Sequence, residues 1–229
     1  TPSLDSLSFG GTLTGNVKYK QDKNVYDPVS DITIDSLQIN KILLGDLEFS
    51  IKGNEKFNQF NVESALKQDG NERFFLNGDV NFVGQQSALA LEAGFDKFDL
   101  APFGPLLGSV LSDVRGNATG RATIAGSLSE PEIDGRLYLN DAGMRVPYLN
   151  VDYAFEKNAI IDVTEHQFSF RKVEVSDTKY DTKGVLDGSI RHKKFGDWQL
   201  DLHLDSNNIL ALDTEDNEDA YYFGTAFMK

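Results

Sequence analysis

Apolar and polar residues alternate along most of this chain. The stretch from Trp198 to Leu204 has an apolar residue at every second position, and Leu47–Lys52 and Val151–Glu156 follow the same pattern. Clusters of Gly, Asn and Asp, such as Asp69–Asn71 and Asn140–Gly143, separate stretches of this kind. A period of two is typical of strands with one apolar face, and the clusters are typical of turns. The sequence therefore predicts an all-β protein with mostly antiparallel strands.

One segment has a helical period instead. Between Ala101 and Ser112 the apolar residues fall at positions i, i+3, i+4, i+7 and i+8, namely Phe103, Leu106, Leu107, Val110 and Leu111. Pro102 stands near the start of this segment, where its missing N–H costs little. We predict a short helix near 101–112. It either plugs a groove in the sheet or, as we favour, seals the end of the sheet as ordinary core.

The two halves of the chain resemble each other. Gly11–Gly15 is matched by Gly116–Gly120, 105 residues later, and further matches follow in the same order with similar offsets. Repeats of this kind usually stack and share one core. We predict a first β repeat over residues 1–100. The short helix and a second β repeat follow over 101–229, and both repeats stack as one continuous, elongated, curled antiparallel sheet.

A sheet with one apolar face has to cover that face in water. It can close into a sandwich whose inner faces lie about 10 Å apart, or curl into a trough that leaves an apolar groove for a ligand. Composition alone favours the sandwich. The repeat favours the trough, because stacked units make a groove continuous, and a long apolar groove suits acyl chains. The residues expected to line it are Leu47, Phe49, Ile51, Leu89, Leu91, Leu137, Leu139, Val151, Tyr153, Phe155, Leu200, Leu202 and Leu204.

Composition and charge narrow the possible partners. Lys and Arg together number 22 and Asp and Glu 36, so the net charge of −14 disfavours nucleic acid as a partner. The absence of cysteine excludes disulfides, thiolate zinc sites and cysteine nucleophiles. No apolar run approaches the roughly 18 residues of a membrane span, and no signal peptide opens the chain. The C-terminal residues Tyr222–Lys229 look like a strand cut short, so we expect the chain to be a fragment of a longer protein whose targeting signals lie elsewhere.

Candidate chemistry is sparse. His166, His192 and His203 are not spaced as metal ligands, and we expect them to be structural or solvent-facing. The acidic run Asp213–Asp219 lacks the glycine turn and terminal glutamate of a known calcium loop, which favours a solvated loop. We expect no enzymatic activity, no cofactor and no metal site. A hydrolase that uses two of the many carboxylates is the remaining enzymatic alternative.

An ordered series of motifs points to a known family. The motifs are Leu106–Leu107, Gly116–Gly120, Ile124–Leu128, Pro131–Leu139, Val146–Leu149, Gly184–His192 and Tyr222–Ala226. With them, residues 99–229 resemble the C-terminal region of TamB-like proteins, the translocation and assembly module subunits of Gram-negative envelopes. The style of the sequence resembles members from Bacteroidota. The first half is similar to the preceding region more loosely.

The resemblance implies a β-taco fold, which is a long curled sheet with a hydrophobic inner groove. It further implies a periplasmic location, an inner-membrane anchor in the full-length protein, and an Omp85-type barrel as partner at the outer membrane. We therefore expect a segment of a bridge that carries phospholipid acyl chains between the two membranes. The alternative is a closed β-sandwich scaffold that binds partner strands and assists outer-membrane protein assembly.

Overall fold

The chain folds almost entirely into β-strands, as the alternating pattern predicts. The computed structural model describes residues 7–22, 25–84, 86–107, 111–193, 196–215 and 223–229. In these residues thirteen strands form one curled antiparallel sheet, and two further strands pair with each other. The strands are β1 (Phe9–Asp22), β2 (Val25–Ile39), β3 (Ile42–Gly53), β4 (Gln59–Gln68), β5 (Asn71–Val83), β6 (Gln86–Asp99), β7 (Ser112–Gly126), β8 (Pro131–Val146), β9 (Val151–Phe155), β10 (Ala159–Thr164), β11 (Gln167–Asp177), β12 (Lys183–Lys193), β13 (Gly196–Asp205), β14 (Ile209–Thr214) and β15 (Gly224–Met228).

The sheet follows the chain order without crossovers. Each strand pairs with its sequence neighbours, except that β9 and β10 lie one after the other between β8 and β11 and share one position. The ladder from β1 to β13 therefore has twelve positions, all antiparallel. Whether the two halves are tandem repeats stays a prediction.

The turns between strands lie at two opposite ends of the sheet. At one end are the turns β2–β3, β4–β5, β8–β9 and β11–β12, and we call it the helix end because the short helix joins β6 to β7 there. At the opposite end, which we call the far end, are the turns β1–β2, β3–β4, β5–β6 and β7–β8. The strands β14 and β15 follow β13 at the helix end.

The short helix is present but shorter than its predicted span. It is a 3₁₀ helix over Ala101–Leu107, and β7 already begins at Ser112. Pro105 lies inside it, and a proline has no N–H to donate and clashes with the carbonyl of the residue four positions earlier. The tighter and shorter 3₁₀ form follows from this. Val110, part of the predicted stripe, lies outside the described residues.

Three of the β-bulges in the described sheet share one arrangement. In each, two residues of one strand face a single residue of the next, and the bulges are Asp35–Ser36 facing Asp46, Asp96–Lys97 facing Thr119, and Arg171–Lys172 facing Asp187. A bulge kinks its strand and increases the local twist. The bulges lie in β2, β6 and β11, so they recur across the sheet and contribute to its curl.

The same side-chain contact stabilises each bulge. The second bulge residue has a positive φ between 49° and 53°, and its N–H donates to a side-chain oxygen of the facing residue. The pairs are Ser36 to Asp46 at 2.8 Å, Lys97 to Thr119 at 3.0 Å and Lys172 to Asp187 at 3.2 Å. A backbone donor that the bulge removes from the ladder is thus satisfied by a side chain.

Two glycines on similar segments mark close strand approaches. Gly78 in Leu76–Val80 and Gly188 in Leu186–Ile190 have φ values of 142° and 122°. A Cβ atom at either position would lie 2.1 or 2.2 Å from a carbonyl oxygen of the next strand. Only glycine permits this backbone without displacement of the neighbouring strand.

Candidate functional site

An unbroken row of residues without polar side chains crosses the whole sheet. Directly opposed residues of antiparallel strands lie on the same side of a sheet. The register therefore defines a central row through all twelve positions: Leu13, Ile34, Leu47, Leu66, Phe74, Phe95, Gly120, Leu137, Ile161, Phe170, Gly188 and Leu202.

A second row runs beside the first, two residues further toward the far end. Its members are Gly15, Ile32, Phe49, Ser64, Leu76, Ala93, Ala122, Gly135, Val163, Phe168, Ile190 and Leu200. Ser64 is its one polar member. We call the side of the sheet that carries these two rows the apolar face.

The opposite face carries charged side chains in ion pairs. Lys67 lies 2.9 Å from Glu48, and this hydrogen bond raises the pKa of Lys67. Arg136 lies 2.7 Å from Asp162, and its hydrogen bond holds the pKa of that carboxyl below its ordinary value. Both pairs join neighbouring strands, and the basic residue of each pair is exposed. The sheet therefore separates charge from apolar surface, as the period of two predicts.

The thirteen residues predicted to line a groove all lie on the apolar face. Eight of them are half-buried: Leu47, Phe49, Ile51, Leu91, Leu137, Phe155, Leu202 and Leu204. Leu200 is 43% exposed. Leu89, Leu139, Val151 and Tyr153 are buried. The half-buried residues offer apolar surface to a ligand, whereas the buried ones already contact protein. That these residues bind a ligand stays a prediction.

The short helix packs against the apolar face at the helix end. Pro102 and Leu106 are buried, and the ring centroids of Phe103 and Phe98 lie 5.7 Å apart. The Asn40 side chain, in the β2–β3 turn, donates a hydrogen bond of 2.8 Å to the Pro102 carbonyl. The helix thus reaches from the β6–β7 connection back to the β2–β3 turn. It covers a cluster formed by Ile39, Leu44 and Leu66.

The strand β14 covers the apolar face in the second half. Ile209 is fully buried and Leu210 is 2% exposed, and both belong to the cluster that contains Val151, Tyr153 and Leu186. The Tyr153 hydroxyl donates to the Leu210 carbonyl at 2.8 Å. Burial, and to a lesser degree the Asp177 carboxylate, raises the pKa of Tyr153 to about 12. Tyr153 is therefore a neutral donor that holds β14 in place.

Asp177 anchors the turn beneath β14. Its carboxylate accepts hydrogen bonds from the backbone N–H groups of Lys179, Tyr180 and Thr182 and from the Thr182 hydroxyl. Burial by itself would raise the pKa of Asp177, but these hydrogen bonds outweigh it, and the pKa lies below its ordinary value. The Thr182 hydroxyl oxygen in turn accepts the Leu210 N–H at 2.9 Å. Both backbone polar groups of Leu210 are thus satisfied.

An aromatic group lies at the far end of β11, β12 and β13. The His192 ring centroid lies 5.5 Å from that of Phe168 and 5.1 Å from that of Trp198. Burial lowers the pKa of His192, and the nearby His166 lowers it further, so the neutral ring is favoured. Of the two predicted settings, structural or solvent-facing, the buried position of His192 agrees with the structural one. Within the described residues, no three His, Asp or Glu side chains are grouped as a metal site requires.

Several members of the two rows were not among the residues predicted to line the groove. Phe74, Leu76, Phe168 and Phe170 alternate with the required period, and that signal was available. Ile209 and Leu210 are adjacent apolar residues without periodicity, so no pattern marked them as a cover for the face. Residues 216–219 of the predicted acidic loop lie outside the described residues.

Known proteins offer no direct guide to the function of this face. No family model, curated protein or solved structure matches the chain. Within its described part, no helix is long and apolar enough to cross a bilayer.

Proposed function

We propose that the apolar face carries the acyl chains of phospholipids. In this proposal the chain is a segment of a periplasmic bridge between the inner and outer membranes that supports outer-membrane biogenesis. The resemblance to TamB-like proteins supplies the membranes, the compartment and the Omp85-type barrel as partner of the full-length protein. The observation that carries the proposal is the central row, which crosses twelve strands without one polar side chain.

The dimensions of the row suit several acyl chains. Neighbouring strands lie about 4.8 Å apart, so twelve positions span roughly 50 Å. A bilayer core is about 30 Å thick, so one acyl chain extends about 15 Å. The row therefore accommodates about three acyl chains placed end to end. Headgroups would remain outside the apolar face, in contact with water.

The chemistry of the face favours movement along it. Burial of each methylene group contributes about 0.8 kcal/mol wherever the wall is apolar. The half-buried residues Leu47, Leu91, Leu137 and Leu202 lie on strands spread over the sheet and offer similar surfaces. Because no charged group interrupts the central row, no position on it is a much deeper minimum than the next. Transfer then needs neither a reaction nor a cofactor.

Lipid binding by the purified chain tests this function. We expect native mass spectrometry, after incubation with phosphatidylethanolamine or phosphatidylglycerol, to show chain-bound phospholipid. Leu91→Asp should lower binding about five- to 150-fold, because a buried unpaired polar group costs about 1–3 kcal/mol. Its matched control is Ala90→Asp, which places the same group on the opposite face of the same strand.

Circular dichroism has to show that both variants keep their β content. Equal binding by Leu91→Asp and Ala90→Asp would contradict the proposal, and so would a folded wild-type chain that binds no phospholipid.

A further inference from the structure

The single tryptophan of the chain lies at the far end of the apolar face. Across a bulge between β13 and β12, Asp197 and Trp198 together face His192. The half-buried Trp198 ring stacks on that of Phe168, with the centroids 6.4 Å apart and the planes 18° apart. An indole combines a large apolar ring with one N–H donor, so it suits a boundary between apolar surface and water.

The indole N–H of Trp198 lacks an acceptor. Its Nε1 atom is buried, and no described residue accepts a hydrogen bond from it. A buried donor that is left unpaired lowers stability, and buried tryptophan N–H groups usually have a partner. Trp198 therefore offers a hydrogen bond to an acceptor that the described part of the chain does not supply, such as an oxygen of a ligand packed against the ring.

The surface around Trp198 changes from apolar to basic along the strands. Leu200 on β13 and Phe168 on β11 are its neighbours toward the helix end, and both belong to the second row. Toward the far end, the exposed His166 precedes β11 and the exposed Lys193 ends β12. Apolar surface, an unpaired donor and basic side chains therefore follow one another in the order of the acyl chain, the ester and the phosphate of a phospholipid.

The far end also carries acidic side chains. The Glu165 carboxylate accepts the Ile133 N–H at 3.2 Å, and Asp197 is exposed. Charges of both signs thus lie beyond the Trp198 ring. A headgroup with both a phosphate and an ammonium, such as that of phosphatidylethanolamine, finds an opposite charge for each of them there.

We propose that a phospholipid bound over β11–β13 places an ester oxygen at the Trp198 N–H and its headgroup beyond it, at the far end. Its acyl chains then begin beside Phe168 and Leu200 and continue along the two rows. At the helix end of these strands, β14 covers the face with Ile209 and Leu210, which are at most 2% exposed. This inference rests on the proposed acyl-chain binding and adds an orientation to it.

The fluorescence of Trp198 tests this orientation without any substitution, because the chain has no other tryptophan. The chain is saturated with phosphatidylethanolamine that carries bromine, a contact quencher, either near the ester end or near the methyl end of its acyl chains. Native mass spectrometry checks that both lipids are loaded equally. We expect the ester-end bromine to remove most of the fluorescence and the methyl-end bromine to remove little.

The indole N–H signal provides an independent readout. A ¹H–¹⁵N correlation spectrum of the chain contains one indole peak. We expect diacyl phosphatidylethanolamine to shift this peak downfield, because the N–H gains an acceptor. The diether analogue is the matched control, since it keeps the headgroup and the apolar chains but has no ester carbonyl. It should shift the peak less.

Stronger quenching by the methyl-end bromine would overturn the proposal, because the acyl ends would then lie at Trp198. Bound phospholipid that quenches with neither label would also overturn it, but would leave acyl-chain binding intact. Equal shifts of the indole peak by the diacyl and diether lipids would contradict the contact with the ester. A folded chain that binds no phospholipid would overturn both the orientation and the proposed function.

Discussion

At the residue scale, the buried Tyr153 hydroxyl is one of the groups that connect the cover strand β14 to the sheet. Tyr153 is 7% exposed, and its hydroxyl hydrogen bonds to the Leu210 carbonyl. A buried hydrogen bond contributes about 1 kcal/mol, and its loss also leaves the carbonyl unsatisfied. The stability of the cover therefore depends in part on Tyr153. The alternating pattern predicts that this residue lies on the apolar face, but no local pattern predicts its contact with β14.

Tyr153→Phe should lower the free energy of unfolding by about 1–2 kcal/mol near neutral pH, because the Leu210 carbonyl loses its donor. The measurement is urea denaturation. Tyr138→Phe is the matched control, since Tyr138 is 40% exposed. A control variant as destabilised as Tyr153→Phe would argue against the hydrogen bond.

The wild type and Tyr153→Phe should also respond differently to alkaline pH. The folded pKa of Tyr153 is raised from 10.0 to about 12, so between these values the unfolded chain loses a proton that the folded chain keeps. Stability from this group is complete below about pH 10 and is lost as pH rises toward 12. The wild type should therefore lose more stability than Tyr153→Phe over this range. Parallel pH profiles would contradict the burial of the hydroxyl.

At the scale of elements, the strands alternate as the sequence predicts until a bulge interrupts them. Phe95 and Phe98 both lie on the apolar face although three positions separate them, because Asp96 and Lys97 together face one residue. A strict period of two assigns such a pair to opposite faces. In this bulge the Lys97 N–H donates to the Thr119 hydroxyl on the neighbouring strand, and because these residues are distant in sequence, the local pattern does not reveal the bulge.

Asp187→Ala tests the contact that stabilises the third bulge. Its carboxylate accepts the Lys172 N–H at 3.2 Å. Loss of this carboxylate should speed hydrogen exchange at the Lys172 amide and lower the free energy of unfolding by about 1 kcal/mol. Asp201→Ala is the control, since its exposed carboxylate bonds only loosely to the Arg191 side chain, at 3.5 Å. Unchanged exchange at Lys172 would show that the bulge does not need Asp187.

The fold class, the apolar face and the short helix that covers part of it could be predicted from the sequence, but the cover strand β14 could not. The alternation in Leu47–Ile51 and Trp198–Leu204 predicted which side chains share a face, because periodicity is local. The burial of Val151 beneath Ile209 joins residues far apart in sequence and follows no local pattern. The 3₁₀ form of the helix reflects Pro105, which lies inside it and lacks the N–H that an α-helix needs there.

At the scale of the whole molecule, one curled sheet has a charged, polar face and an apolar face. The net charge of −14 favours the solubility of a chain with this much apolar surface. The helix and β14 cover the apolar face at the helix end. The two rows contain buried members, such as Leu66 and Phe170, and half-buried members, such as Leu47 and Leu202. The proposed acyl-chain function depends on ligand access to those rows.

Site-specific photo-crosslinking tests that access most directly. A photoreactive amino acid replaces Leu47, Leu91 or Leu202 on the apolar face, or its sequence neighbour Glu48, Glu92 or His203 on the polar face. Each chain is incubated with phosphatidylethanolamine vesicles, irradiated and analysed by mass spectrometry. The account predicts phospholipid adducts at the three leucine positions and not at their neighbours. Adducts on both faces alike, or on neither, would contradict it.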